Sequence, residues 1–237
     1  MRASLRRQLF FLRAYTALSS LVLVMLCAAA FTQSSQRFGH ITVERLDVVD
    51  ADGTLRMVIS NKDRMHPGVI EGRTIDRPRP VAGMLFFNES GDEVGGLTYT
   101  GREVDGVRRA NAGLMFDQFK QDQTIGISYS ESGGRRSAGF QVWDRAETGL
   151  GALVDALNAA NKLTGAERDK ALAAARAAAP AGPRRVFVGK NTDKAAIVSL
   201  ADADGRPRLN ITVDATGNPR IEFLDRDGKV VAKLPEL

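Results

Sequence analysis

Sulfur and imidazole are nearly missing from this chain. Its 237 residues include one cysteine, Cys27, and two histidines, His40 and His66. One thiol excludes a disulfide framework within the chain and any cysteine-rich metal centre, and two histidines leave little for a histidine-based one. Neither histidine has an Asp, Cys or Glu partner at a recognisable spacing, so both read as ordinary polar residues. The Gly-x-Ser-x-Gly turn is absent, and with it the nucleophile elbow of the α/β-hydrolases. Gly95-Gly96 and Gly133-Gly134 lack the Lys-Ser/Thr of a phosphate loop. The sequence therefore assigns no catalytic residue, cofactor or metal. Disorder is excluded as well, since 43% hydrophobic and 26% charged residues is a globular composition.

Charge is unevenly spread. Arg2, Arg6, Arg7 and Arg13 supply four of the five formal positive charges, leaving +1 on everything after them. A pI near 9.6 is thus no nucleic-acid signature, which requires a basic face on the folded body. From Ala14 to Gln36 there are 23 residues without a charge, with an apolar heart at Leu18 to Phe31. A spanning helix needs about 20 mostly apolar residues. The expectation is a single-pass anchor in the inner (cytoplasmic) membrane, meeting the lipid bilayer through residues 14–33. The arginines would stay in the cytoplasm and the body in the periplasm or outside. The alternative is a signal peptide cleaved near Ala30, within Ala28-Ala29-Ala30, and a secreted body. Cys27 reads as a small apolar residue of the helix, because Leu26 is too bulky for lipoprotein processing.

The body reads as strand, turn, strand. An Asp/Asn-rich tetrapeptide ending in glycine recurs between apolar runs, closing at Gly53, Gly91, Gly205, Gly217 and Gly228. Asp and Asn bond their own backbone in a turn, and glycine takes the positive φ of a tight hairpin. Between the turns, apolar and polar residues alternate: Leu55, Met57 and Ile59; Ile125, Ile127 and Tyr129; Leu209, Ile211 and Val213. A period of two with one apolar face predicts antiparallel strands. Met84-Leu85-Phe86-Phe87 is apolar throughout and predicts a strand buried on both faces. Phe116, Phe119, Phe140 and Trp143 read as core or rim aromatics. The turn and strand at Leu46–Ile59 recur at Leu200–Ile211, which suggests one hairpin design used repeatedly.

Two segments break this rhythm. Leu150, Leu153, Val154 and Leu157 form a helical stripe, and Thr164-Gly165-Ala166-Glu167 has the form of a capping box opening a second, Ala-rich helix. Residues 148–183 therefore predict an inserted helical hairpin, serving as a lid, an edge cover or a partner-binding element. Residues 61–81 show no clear periodicity and hold Pro67, Gly68, Gly72, Pro78 and Pro80. Irregular connections this long are often functional. Guanidinium groups suit anionic ligands, so Arg73, Arg77 and Arg79 are the candidate anionic-ligand contacts. The Asp-x-Asp-Gly turns invite comparison with an EF-hand loop. Counting from Asp50, however, position 7 is Arg56 and position 12 is Asn61, and the glycine comes too early.

Three stretches, Gly53 to Lys62, Ala82 to Asn88 and Gly95-Gly96-Leu97, resemble a set of uncharacterised bacterial proteins with a short N-terminal apolar segment and an Asp-Gly-rich strand-repeat body. The resemblance covers most of residues 39–145 and is looser beyond. It implies export and a β architecture, and no site residues.

The chain is thus expected to be mainly β. An antiparallel hairpin meander, closed as a barrel, folded as a sandwich or wound like a solenoid, would follow an N-terminal transmembrane helix and carry a small inserted helical hairpin. The expected divisions are 1–36 and 37–237. The expected role is a non-enzymatic binding or structural module of the bacterial envelope, with an envelope protein or polymer as partner and self-association among the outcomes. The competing expectation is an envelope hydrolase of glycan or peptide with an Asp/Glu acid–base pair.

Overall fold

A computed structural model describes residues 2–31, 37–179 and 181–235. The uncharged stretch at 32–36, Gln36 included, lies outside the described residues. The chain divides into two compact units, Met1–Thr42 and Val43–Leu237.

The first unit holds helix α1, Arg2–Phe31. Within it Leu5–Ala28, 24 residues with a mean hydropathy of 1.9, is long and apolar enough to cross a bilayer. Two of its hydroxyls bond within the helix: Thr16 donates to the Leu12 carbonyl at 2.8 Å and Ser19 to that of Tyr15 at 2.8 Å. Polar groups in hydrocarbon need such local partners.

The second unit is built on one open sheet of twelve strands. In chain order the strands are β1 (Arg45–Val49), β2 (Leu55–Ser60), β3 (Val69–Ile70), β4 (Arg73–Thr74), β5 (Ala82–Phe87), β6 (Glu93–Val104) and β7 (Val107–Asp117). Then follow β8 (Gln123–Ser132), β9 (Arg135–Trp143), helices α2 (Gly151–Asn161) and α3 (Gly165–Ala178), and β10 (Arg184–Lys190). The chain closes with β11 (Ala196–Ala201), β12 (Pro207–Val213), β13 (Pro219–Leu224) and β14 (Val230–Leu234). Every strand except the small β3–β4 hairpin pairs antiparallel with its chain neighbours, and β1 and β14 are the edges. The mainly β meander expected from alternation is present. It is a single open sheet, not a barrel.

The turns carry the register. Asp225 Oδ1 accepts the N–H groups of Asp227 and Lys229, and Asp202 accepts those of Asp204 and Arg206. Asn88 and Asp214 do the same. The Thr216 hydroxyl, with the N–H groups of Asn218 and Thr216, holds the Asp214 carboxyl well below the usual carboxylate range. The aspartates thus face their own backbone. All five expected turn glycines have positive φ, from +74° at Gly91 to +93° at Gly217. A Cβ on Gly217 would meet nothing within 4 Å, so its constraint is backbone conformation alone. A Gly217→Val variant is expected to lose about 1–3 kcal/mol, read by thermal melting.

The structure adds a sixth turn of this kind. Asn191 Oδ1 accepts from Asp193 and Ala195, and Lys194 stands where the others have glycine, at φ +64°. A lysine there is strained. Lys194→Gly is expected to raise stability by about 1 kcal/mol, a melting-temperature gain of roughly 2–4 °C.

Two faces follow from the register. On one, the partners run Leu46, Ile59, Met84, Leu97, Leu114 and Ile127, then Phe140, Val188, Val198, Ile211, Ile221 and Leu234. That is one apolar residue from each of the twelve strands of the main sheet. A second row, two residues along, runs from Val48 and Met57 through Phe86, Phe116 and Ile125 to Leu209 and Phe223. Its one gap is Gly95, and Phe86 and Phe116 stack across it with ring centroids 6.3 Å apart.

The opposite face is small and polar, with the core at its β2–β5 end. Val58 and Leu85 are 0% and 1% exposed and pack with Met65, Phe87, Leu55 and Val81. Because Met65 and Val81 belong to 61–81, that segment covers this face. Further along, side chains lie flat over glycines: a Cβ on Gly126 would meet Met115 Sδ at 2.1 Å, and one on Gly139 the Phe187 ring at 2.7 Å. Met84-Leu85-Phe86-Phe87 is therefore buried on one face only. Leu85 and Phe87 are buried, whereas Met84 and Phe86 belong to the open rows.

Candidate functional site

Segment 61–81 and the helical hairpin, unrelated in sequence, meet. Asn158 Oδ1 accepts the Asp76 N–H at 2.8 Å, Asn158 Nδ2 donates to the Thr74 carbonyl at 2.9 Å, and Asn161 Nδ2 donates to the Asp76 carbonyl at 2.6 Å. The Glu71 carboxylate lies so close to Gly149 and Gly151 that a Cβ on either would meet it at 2.0–2.1 Å. Val154 and Ala160 of α2 are buried. Thr164 does stand at the N-cap of α3, but its side chain makes no capping hydrogen bond, so the box expected there is not formed.

The three candidate arginines do not converge. Arg73 donates to Asp155 at 2.8 Å and lies 3.4 Å from Glu71, tying β4 to α2. Arg79 forms a bidentate pair with Glu93, both hydrogen bonds 2.7 Å, with side chains 17% and 9% exposed. Arg77 is exposed and forms no ion pair among the described residues. Gly68 holds its backbone against the Arg79–Glu93 pair, where a Cβ would meet Glu93 Oε2 at 2.6 Å. His66 is occupied locally. Its Nδ1 accepts the Gly68 N–H, its ring sits edge-on to Phe87 at 5.1 Å, and burial lowers its pKa.

Sequence reasoning missed Asp117, at the end of β7. Its Oδ1 is buried without a hydrogen-bond partner among the described residues. Burial first, then the nearby Glu93 and Asp122 charges, push its pKa up to about 7, against the opposing pull of Arg79 and Arg145. The folded pKa exceeds the unfolded one, so this group's contribution to stability is full below about pH 4 and lost as pH rises through 7. Asp117→Asn is expected to stabilise the protein at pH 8 relative to pH 5 by about 1–2 kcal/mol, seen as a gap between the two melting curves that widens with pH.

The other feature of note is the open apolar face. Ile127, at its centre, is 59% exposed, and Val188, Ile211, Phe116 and Phe223 are exposed with it. Soluble single-chain domains rarely leave a contiguous apolar patch of more than a few hundred Å². Its border is polar: Tyr129 donates to Glu131 at 2.6 Å, and Arg136 lies 3.0 Å from Glu131. The Arg136 guanidinium first, then the Tyr129 hydroxyl, lower the Glu131 pKa.

Comparison with protein-family models and with curated proteins finds no match to this chain.

Proposed function

We propose that the protein is a membrane-tethered, extracytoplasmic module of the bacterial envelope that binds or scaffolds through its sheet and catalyses no reaction. The observation that carries this reading is the apolar face reaching across all twelve strands. Such a surface is an expense in water unless something covers it. The apolar helix Leu5–Ala28, with arginines at its N-terminal end, supports a single-pass anchor with the N-terminus in the cytoplasm.

A second reading, the envelope hydrolase, draws on Asp117, an acid half-protonated near pH 7 beside Glu93. Against it, Arg79 occupies both Glu93 oxygens, which leaves no free base there.

A reporter fused after Gln36 is expected to work only outside the cytoplasm, and the whole chain to resist alkaline extraction from membranes. Activity confined to the cytoplasm would overturn the orientation. Complementation of a deletion strain separates the two roles. Charging the face with Ile127→Lys and Ile211→Lys should abolish rescue while Asp117→Asn preserves it. The reverse pattern would favour the hydrolase.

A further inference from the structure

We infer that the occupant of the apolar face is the same face of a second copy of this chain. This rests on reading that face as the working surface. Domains are built of at least two packed layers around a core. This sheet has a small core on one side, near Val58 and Leu85, and, among the described residues, no buried hydrophobic side chain on the other. Two such faces stacked about 10 Å apart would form a sandwich whose missing layer is supplied in trans.

Size supports the pairing. Eleven interstrand steps of about 4.8 Å make the band roughly 50 Å wide, and rows about 7 Å apart make it roughly 14–20 Å deep. That is on the order of 800–1,000 Å² per copy, and a stable specific interface takes about 800 Å² from each partner. A partner for so long and even a strip must offer a strip of the same length, which an isologous second copy does by construction.

Charge argues against hydrocarbon as the occupant. A third row on this face passes from Tyr129 and Ala138 to Lys190, and the Glu131–Arg136 pair lies beyond Tyr129. A protein interface places such groups at its wet rim, while a lipid interior would have to desolvate them. Anchoring in one membrane would also raise the local concentration of copies.

The test uses the full chain in membranes of expressing cells. A benzophenone amino acid replaces Ile127, on the open face, or Ser130, exposed on the opposite face. Two differently tagged copies are expressed together and irradiated. From Ile127, the expected adduct carries both tags and runs at twice the 25.6 kDa chain, while Ser130 gives none. An Ile127 adduct with lipid or with a different protein would overturn the second copy and leave the face as a docking surface. In a Cys27→Ser background, rapid labelling of Ile127→Cys by a membrane-impermeant maleimide would show the face bare, overturning both inferences.

Discussion

An Arg79→Met variant is expected to lose about 3–5 kcal/mol of stability, because it leaves the Glu93 carboxylate buried and unpaired. The site makes the loss hard to absorb. Gly68 and the buried Ile75 crowd the Glu93 side of the pair, where a Cβ on Gly68 would meet Glu93 Oε2 at 2.6 Å. Replacing both partners, Arg79→Met with Glu93→Met, is expected to recover much of the loss, since no charge is then stranded. Asp117 reports on the same pair. Removing the Glu93 charge should lower the Asp117 pKa from about 7, and removing Arg79 should raise it. Titration of the Asp117 carboxyl by NMR in each variant would show the two opposite shifts. Equal shifts, or none, would separate Asp117 from the pair.

Leu85→Ala should cost about 2–5 kcal/mol, the range for an aliphatic side chain truncated in a packed core. Leu85 is 1% exposed and packs beside Val58 between the sheet and segment 61–81. The same truncation on the other face offers a direct contrast. Ile127→Ala, in the open row, should cost less than about 1 kcal/mol in the isolated chain. Chemical denaturation of both variants measures the difference. A larger penalty for Ile127 under conditions where copies associate would itself mark the open face as covered.

The strands and most turns were legible because their chemistry is local. Asp202 and Asp225 bond N–H groups two and four residues away, and Ile211 and Leu209 declare their face by a spacing of two. The sixth turn was hidden because Lys194 takes a conformation that sequence reading reserves for glycine. The run at Met84–Phe87 misled because an apolar side chain reads the same whether its face is covered or bare. Asp117 gave no signal, since its raised pKa depends on burial in the folded body and on the Glu93 charge arriving from β6, with Asp122 adding its charge from the turn that follows. The seam between segment 61–81 and α2 was equally invisible. Asn158 and Thr74 lie 84 residues apart, and neither segment's pattern names the other.

Each main-sheet strand pairs only with its neighbours in the sheet order, which makes strand number a free parameter of this architecture. Excising two adjacent strands with their connections, β11 and β12 for instance, would bring β10 against β13 with direction and face parity intact. The lineage could thus lengthen or shorten the ribbon by whole hairpins, such as β11–β12 with its Asp202-clasped bend. What such edits would alter is the width of the greasy stripe, and with it the span of whatever lies against it.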